Sequence, residues 1–319
     1  MHTGGSNIER NRQMGKIAFV FSGQGAQHAG MGEDFYNNNS AVRELFDDAQ
    51  KIRCGTIEQC FTGDAETLKC TDNTQPCLYL ADLGAALAMR DAGINPDAVA
   101  GFSLGEIPAL AFAGAYTYLE GFRLACERGK AMAKAAEKTD ASMVAVVKLE
   151  NSVVEEICSH YSQVYPVNYN SDGQLVVSGA KSELADFSAE IKTAGGRAIP
   201  LAVGGGFHSP FMNDASEEFG EVLEDATIKS PKLTVYANET AQPYCEDVKV
   251  MLKRQINHPV KWCELIKNMA NDGFDTFIEV GVGNTLQKLI SKILPEAKSF
   301  KAETMEDVIN IAKECGVNA

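Results

Sequence analysis

The sequence predicts an α/β protein in which a large unit built on a mostly parallel sheet carries a small antiparallel unit of order βαββαβ set into it. Short apolar runs alternate with helical stretches through most of the chain, which places parallel strands between covering helices. Between about residues 140 and 203 that alternation gives way to strand, helix, two strands, helix, strand. The 319 residues exceed one average domain and leave room for such an insert.

Residues 1–13 are polar, lack the apolar stretch of a secretory signal and are expected to form a loose tail. Lys16 to Phe21 (KIAFVF) is a buried strand feeding the glycine-rich turn Ser22-Gly-Gln-Gly-Ala26. Pro76 to Asp91 is a packed helix stopping at Gly93, Asp97 to Gly101 a second buried strand, and Leu104 to Phe112 a helix again. Ser142 to Leu149 is a strand, Asn151 to Tyr161 a helix with asparagine at its cap, and Val164 to Tyr169 a strand turning at Gly173-Gln174 into Leu175 to Ser178. Lys181 to Ala194 is an amphipathic helix ended by Gly195-Gly196, and Arg197 to Val203 closes a ferredoxin-like unit. The large unit resumes with a helix from Phe211 to about Asp225 and a strand from Leu233 to Ala237. A last buried strand, Phe274 to Val280, precedes the helix Thr285 to Ile293. The expected division is therefore 14–139 with 204–319 for the large unit and 140–203 for the small one.

Composition narrows the function. Hydrophobic residues at 45% and charged residues at 23% describe an ordinary globular chain. No apolar run reaches the roughly 18 residues of a membrane span. Nine scattered cysteines form no CxxC pair and have no histidines at ligand spacing, so reduced thiols in a cytoplasmic protein and no metal site are expected. With 29 Lys and Arg against 43 Asp and Glu, the net charge of −14 repels nucleic acid. Lys249, Lys253, Arg254, Lys261, Lys288, Lys292, Lys298 and Lys301 form either a local basic docking face or a solvated lysine surface.

Gly101-Phe-Ser103-Leu-Gly105 fits G-x-S-x-G between a predicted strand and a predicted helix, which gives the large unit a hydrolase-like core. A sharp turn there exposes the serine hydroxyl, and the N–H of Leu104 at the helix start is placed to bind an oxyanion. Serine needs a base. Of the five histidines, His208 in the loop Gly204-Gly-Gly-Phe-His-Ser-Pro210 is best placed to offer an exposed imidazole.

From these residues the chain resembles the malonyl-CoA:acyl carrier protein transacylases, a family related to the acyltransferase domains of polyketide synthases. The matching blocks are FVFSGQGAQHAGMG (19–32), GFSLGEIPAL (101–110), ERGKAM (127–132), VNYNSDGQLVVSG (167–179), FHSPFM (207–212), RQINHPVKW (254–262) and EVGVGNTL (279–286). The resemblance implies that Ser103 is acylated and that His208 is its base. It also implies an oxyanion hole from the N–H groups of Gln24 and Leu104, and a backbone carbonyl of Gln255 that orients the histidine. Arg128 would pair bidentately with the free carboxylate of a malonyl group, and Asn168 and Asn170 would border the coenzyme or carrier arm. The implied reaction is ping-pong transfer from malonyl-CoA to the phosphopantetheine thiol of an acyl carrier protein, by a monomer without cofactor. Phe102 stands where the family usually has histidine and Val282 where proline is common, while Phe207 accompanies malonyl preference in polyketide acyltransferases. A serine hydrolase or thioesterase and a non-catalytic carrier-binding module are the alternatives.

Overall fold

The computed structural model describes residues 15–317, so the expected tail at 1–13 lies outside the described residues. Nine strands are present among them: β1 (Lys16–Phe21), β2 (Ala98–Gly101), β3 (Ala141–Val147), β4 (Val164–Ser171), β5 (Gln174–Ala180), β6 (Arg197–Pro200), β7 (Thr234–Tyr236), β8 (Phe274–Val280) and β9 (Lys298–Ala302). They form two sheets, one of order β7-β2-β1-β8-β9 and one of order β4-β5-β3-β6.

Every neighbouring pair in the five-stranded sheet is parallel. Its central strand β1 is buried on both faces, as a strand between two helical layers must be. Phe19 and Phe21 point into the larger core with the helix Thr71–Asp91. Ala18 and Val20 point the other way, towards Trp262, Leu265 and Ile266 of the helix Trp262–Asn271. The helix Thr71–Asp91 is apolar nearly all round because it runs through the centre of the core. It starts ahead of Pro76, so the proline sits inside the helix instead of opening it.

All neighbours in the four-stranded sheet are antiparallel, and the chain order β3, helix, β4, β5, helix, β6 is the expected ferredoxin-like one. Its helices, Asn151–Cys158 and Lys181–Thr193, cover one face through Val154, Ile157, Leu184 and Phe187 against Val144, Val146, Leu175 and Val177. The sheet is stitched to the rest of the chain. Tyr169 N donates to Val260 O at 2.9 Å, Val260 N to Val167 O at 2.8 Å, and Ser178 Oγ to Phe207 O at 2.7 Å.

Several sequence expectations are corrected. Glu150, not Asn151, occupies the cap of its helix, because the Asn151 amide is turned towards Ser171 O at 3.4 Å. The strand after Gly196 ends at Pro200, whose ring removes the next ladder donor. The strand Phe274–Val280 is not the last: β9 pairs with it, and the helix Met305–Glu314 follows behind a capping box at Thr304 and Asp307. Four members of the basic group are matched by acids or carbonyls. Lys253 pairs with Glu217 at 2.6 Å, Arg254 with Glu239 at 2.8 Å and Glu246 at 3.1 Å, and Lys301 with Asp307 at 3.3 Å, while Lys249 Nζ donates to Glu224 O at 2.8 Å. Among the described residues no ion pair engages Lys261, Lys288, Lys292 or Lys298, which leaves a smaller basic group than the sequence implied. No described helix is long and apolar enough to cross a membrane.

Candidate active site

Strand β2 ends in Gly101, and the chain then turns through Ser103 into a short 3₁₀ turn, Ser103–Gly105, before the helix Glu106–Phe112. Ser103 takes φ 53°, a left-handed conformation unusual for a residue with a Cβ, which is the strained bend expected of a nucleophile elbow. Side-chain bonds hold that bend in place. Asn238, just beyond β7, accepts from Ser103 N at 2.7 Å and donates from Nδ2 to Gly101 O at 2.5 Å. Gln255 Nε2 donates to Ser103 O at 2.6 Å.

Ser103 Oγ lies 2.7 Å from His208 Nε2. The other ring nitrogen, Nδ1, meets the Gln255 carbonyl at 3.0 Å; a carbonyl only accepts, so Nδ1 carries the proton and Nε2 is free to take the serine's. His208 also has a left-handed backbone, φ 59°. The exposed imidazole foreseen from the loop is instead 3% exposed, because the loop is packed inward, with Phe207, Ser209 and Met212 buried as well. Burial, and after it the positive charge of Arg128, hold the ring down to about 3, so it is a neutral base at any ordinary pH.

Arg128, on the helix Tyr118–Glu137, is completely buried, not the helical surface residue that its position alone would give. Its guanidinium donates to Gln75 Oε1 at 2.9 Å, Gln255 Oε1 at 2.8 Å and Ser103 Oγ at 3.3 Å. Among the described residues none of its hydrogen-bond partners is a carboxylate, and its Nε has no partner. Desolvation lowers the guanidinium to about 10, still charged at neutral pH.

Gln24, Ser103, Leu104, Asn168 and His208 line one cavity of about 130 Å³, walled by Phe102, Met132, Met143, Leu201, Val203 and Phe207, with Lys69 among the lining residues. Arg128 and Gln255 lie buried behind the serine. Asn170 does not line the cavity, and no contact supports its expected place there. Phe102, where a histidine was the commoner choice, packs edge-on against Trp262 with ring centroids 5.5 Å apart.

Sequence reasoning assigns no role to Gln75, Glu106, Asn238 or Tyr244. Glu106 directly follows the G-x-S-x-G motif and Gln75 adjoins Pro76, but their use depends on long-range packing. Glu106 accepts from Asn238 N at 2.9 Å and from the Tyr244 hydroxyl, and so braces the residue that braces the elbow. Asn238→Ala strands a half-buried N–H and a buried carbonyl at the bend, with an expected loss of about 2–3 kcal/mol in denaturant unfolding. Burial pushes Glu106 up to about 7, against the hydrogen bonds from Tyr244 and Asn238 that lower it. The folded chain then keeps a proton that the unfolded chain has lost, so stability falls as pH rises from 4.5 to about 7. That slope is worth on the order of 3 kcal/mol from this group. Glu106→Gln should flatten it in unfolding curves taken across the same window.

A strained serine and a neutral histidine at one cavity, with a buried arginine behind the serine, stand at the carboxyl edge of a parallel sheet, an arrangement of the α/β kind that suits nucleophilic chemistry at a serine. Comparison with known proteins then gives its family. The sequence model of the acyl transferase domain family matches residues 18–309. The malonyl CoA-acyl carrier protein transacylase of Bacillus subtilis strain 168 is 35% identical over 96% of this chain and 100% of its own length. The Staphylococcus aureus MSSA476 protein of the same name is 34% identical over 92% and 98%. The crystal structure of the Clostridium perfringens transacylase superimposes with a TM-score of 0.91 at 31% identity, over 94% of this chain and 97% of that one. A malonyl-transacylase solved in complex with a type II PKS acyl-carrier protein gives 0.90 at 29% identity, over 94% and 99%. The chain belongs to the acyl transferase domain family and is an acyltransferase.

Proposed function

We propose that this acyltransferase moves a malonyl group from malonyl-CoA to the phosphopantetheine thiol of an acyl carrier protein through a malonyl-serine ester. The observation that carries the proposal is Arg128: a charged guanidinium, fully buried, hydrogen-bonded to the nucleophile and answered by no carboxylate among its hydrogen-bond partners. A buried charge normally has a counter-charge, and an acyl group with a free carboxylate supplies one. The names of the relatives agree with this substrate pair.

In this proposal Ser103 Oγ attacks the thioester carbonyl while His208 Nε2 takes the hydroxyl proton. The N–H groups of Gln24 and Leu104 hold the tetrahedral oxyanion, and His208 returns the proton to the departing coenzyme A thiolate. The carrier's thiol enters by the reverse route. Gln255 fixes the imidazole through its carbonyl, in the place that an acid takes in a Ser-His-Asp triad. Asn168 at the cavity wall is the better candidate of the two asparagines for a contact with the pantetheine arm. The reaction asks for no metal or redox cofactor, and a monomer working in the cytoplasm is the simplest setting. The division into units 14–139 with 204–319 and 140–203 stands as part of the same proposal.

Intact-mass measurement after brief exposure to malonyl-CoA tests it. The expected result is one malonyl group per chain, discharged by holo carrier protein. Free malonate released without carrier would make the protein a hydrolase, and no label at all would leave a carrier-binding module. Arg128→Gln is expected to lower kcat/KM for malonyl-CoA by about 10- to 150-fold, the worth of one charge-assisted contact, with acetyl-CoA relatively favoured. Unchanged selectivity in competing acetyl and malonyl transfers would remove Arg128 from this role.

A further inference from the structure

Arg128, Ser103 and His208 stand in a row. The guanidinium reaches Ser103 Oγ at 3.3 Å, and Oγ reaches His208 Nε2 at 2.7 Å. A base that takes the serine proton must therefore become a cation one hydroxyl away from an existing, desolvated cation. The same guanidinium N–H also occupies a lone pair of the oxygen that must attack. The other groups facing this pair offer little relief. The imidazole meets the Gln255 carbonyl and the backbone at His258, while Glu106 acts on Arg128 without an ion pair and is braced by Asn238 and Tyr244. Lys69, which lines the cavity in front of them, adds a further positive charge.

The geometry points to a charge switch in acyl selection: a free carboxylate on the bound acyl group neutralises Arg128, releases Ser103 Oγ from it and thereby makes His208 an effective base. This deepens the proposed role of Arg128 and rests on it. The carboxylate then favours malonyl in the chemical step, and not only in binding. The proton balance is unchanged: the hydroxyl proton passes to Nε2 as the Oγ–C bond forms, and returns to sulfur as the C–S bond breaks. An acyl group without a carboxylate meets the unanswered guanidinium in both transfers. The depressed basicity of the imidazole, caused by burial and then by Arg128, agrees with this arrangement.

The test follows the His208 imidazole by NMR in the full-length Ser103→Ala protein, which cannot be acylated, labelled with ¹⁵N-histidine. The signal is assigned by its loss in His208→Gln. Titrations run from about pH 2.5 to 8, so that a midpoint held down to about 3 falls inside the range, with no ligand, saturating malonyl-CoA or saturating acetyl-CoA. The expected result is a midpoint raised by about one pH unit or more by malonyl-CoA and scarcely moved by acetyl-CoA. Adding Arg128→Gln should raise the ligand-free midpoint and abolish the further rise. Arg128→Lys, which keeps the charge, should retain the low midpoint. An Arg128-dependent preference for malonyl-CoA in binding, together with an unmoved His208 midpoint, would overturn the switch and leave carboxylate recognition standing. Equal affinity for the two thioesters, unaffected by Arg128→Gln, would remove the recognition itself and the switch with it.

Discussion

Ser103→Ala is expected to lower transfer from malonyl-CoA by about 10⁴-fold or more and to leave no acyl group on the protein. The size follows from the duty that the proposed mechanism gives Ser103 and His208. Without Oγ, His208 Nε2 has no proton to take, and the oxyanion donors have no tetrahedral centre to hold. The substitution itself is mild for the fold: the backbone bonds from Ser103 N to Asn238 and from Gln255 to Ser103 O do not involve the hydroxyl. Alanine must still adopt the left-handed backbone, for a cost on the order of 1–2 kcal/mol that serine already bears. Equal thermal unfolding of the two proteins, with covalent labelling lost only in the variant, is the diagnostic pair of measurements. A labelled Ser103→Ala protein would move the nucleophile elsewhere.

Gly105→Ala should be among the most damaging small changes in the structure. A methyl group at Gly105 would sit on the carbonyl oxygen of Phe21 and within 2.6 Å of the carbonyl oxygen of Ser22. Both are main-chain atoms at the end of the central strand, so neither can swing aside as a side chain would. The same residue closes the 3₁₀ turn, and Gly101 has no room either, since its missing Cβ faces the backbone of Gly105 and Glu106. Separating these segments displaces the Ser103 bend from the loop that carries Gln24. The expected cost is on the order of 4 kcal/mol or more, among the larger effects of a single substitution. Chemical unfolding of Gly105→Ala gives the number. A loss below about 1 kcal/mol would mean that the close approach is not maintained in solution.

Local patterns made much of this legible in the sequence. Buried strands such as KIAFVF and FDTFIEV carry their own signature, and the glycine-serine-glycine turn advertises a bend because few other residues fit one. The ferredoxin-like order followed from alternation and from turn residues at Gly173 and Gly195. The strand Lys298–Ala302 escaped notice because it lies at the sheet edge with only one of its five residues buried, so its apolar signal is weak. The site was partly legible for the same reason. Ser103 and His208 announce themselves through glycine-rich surroundings, whereas Asn238 and Gln75 act across 135 and 53 residues of chain and look like ordinary polar residues. The burial of Arg128 is likewise a property of the packed helices around it. The basic group shrank because its acids, Glu217, Glu239 and Glu246, come from segments that only folding brings alongside.

The backbone bonds between β4 and Val260 bear on the timing of catalysis. Because the smaller sheet is tied down through main-chain atoms, the wall it lends to the cavity does not have to be assembled anew each time a donor arrives. In the proposed transfer two bulky pantetheine-bearing molecules visit in succession, and a preformed berth lets each one dock and depart without a lid to open or shut. Turnover would then be governed by arrival and chemistry, with the cost of ordering met once, when the chain folds.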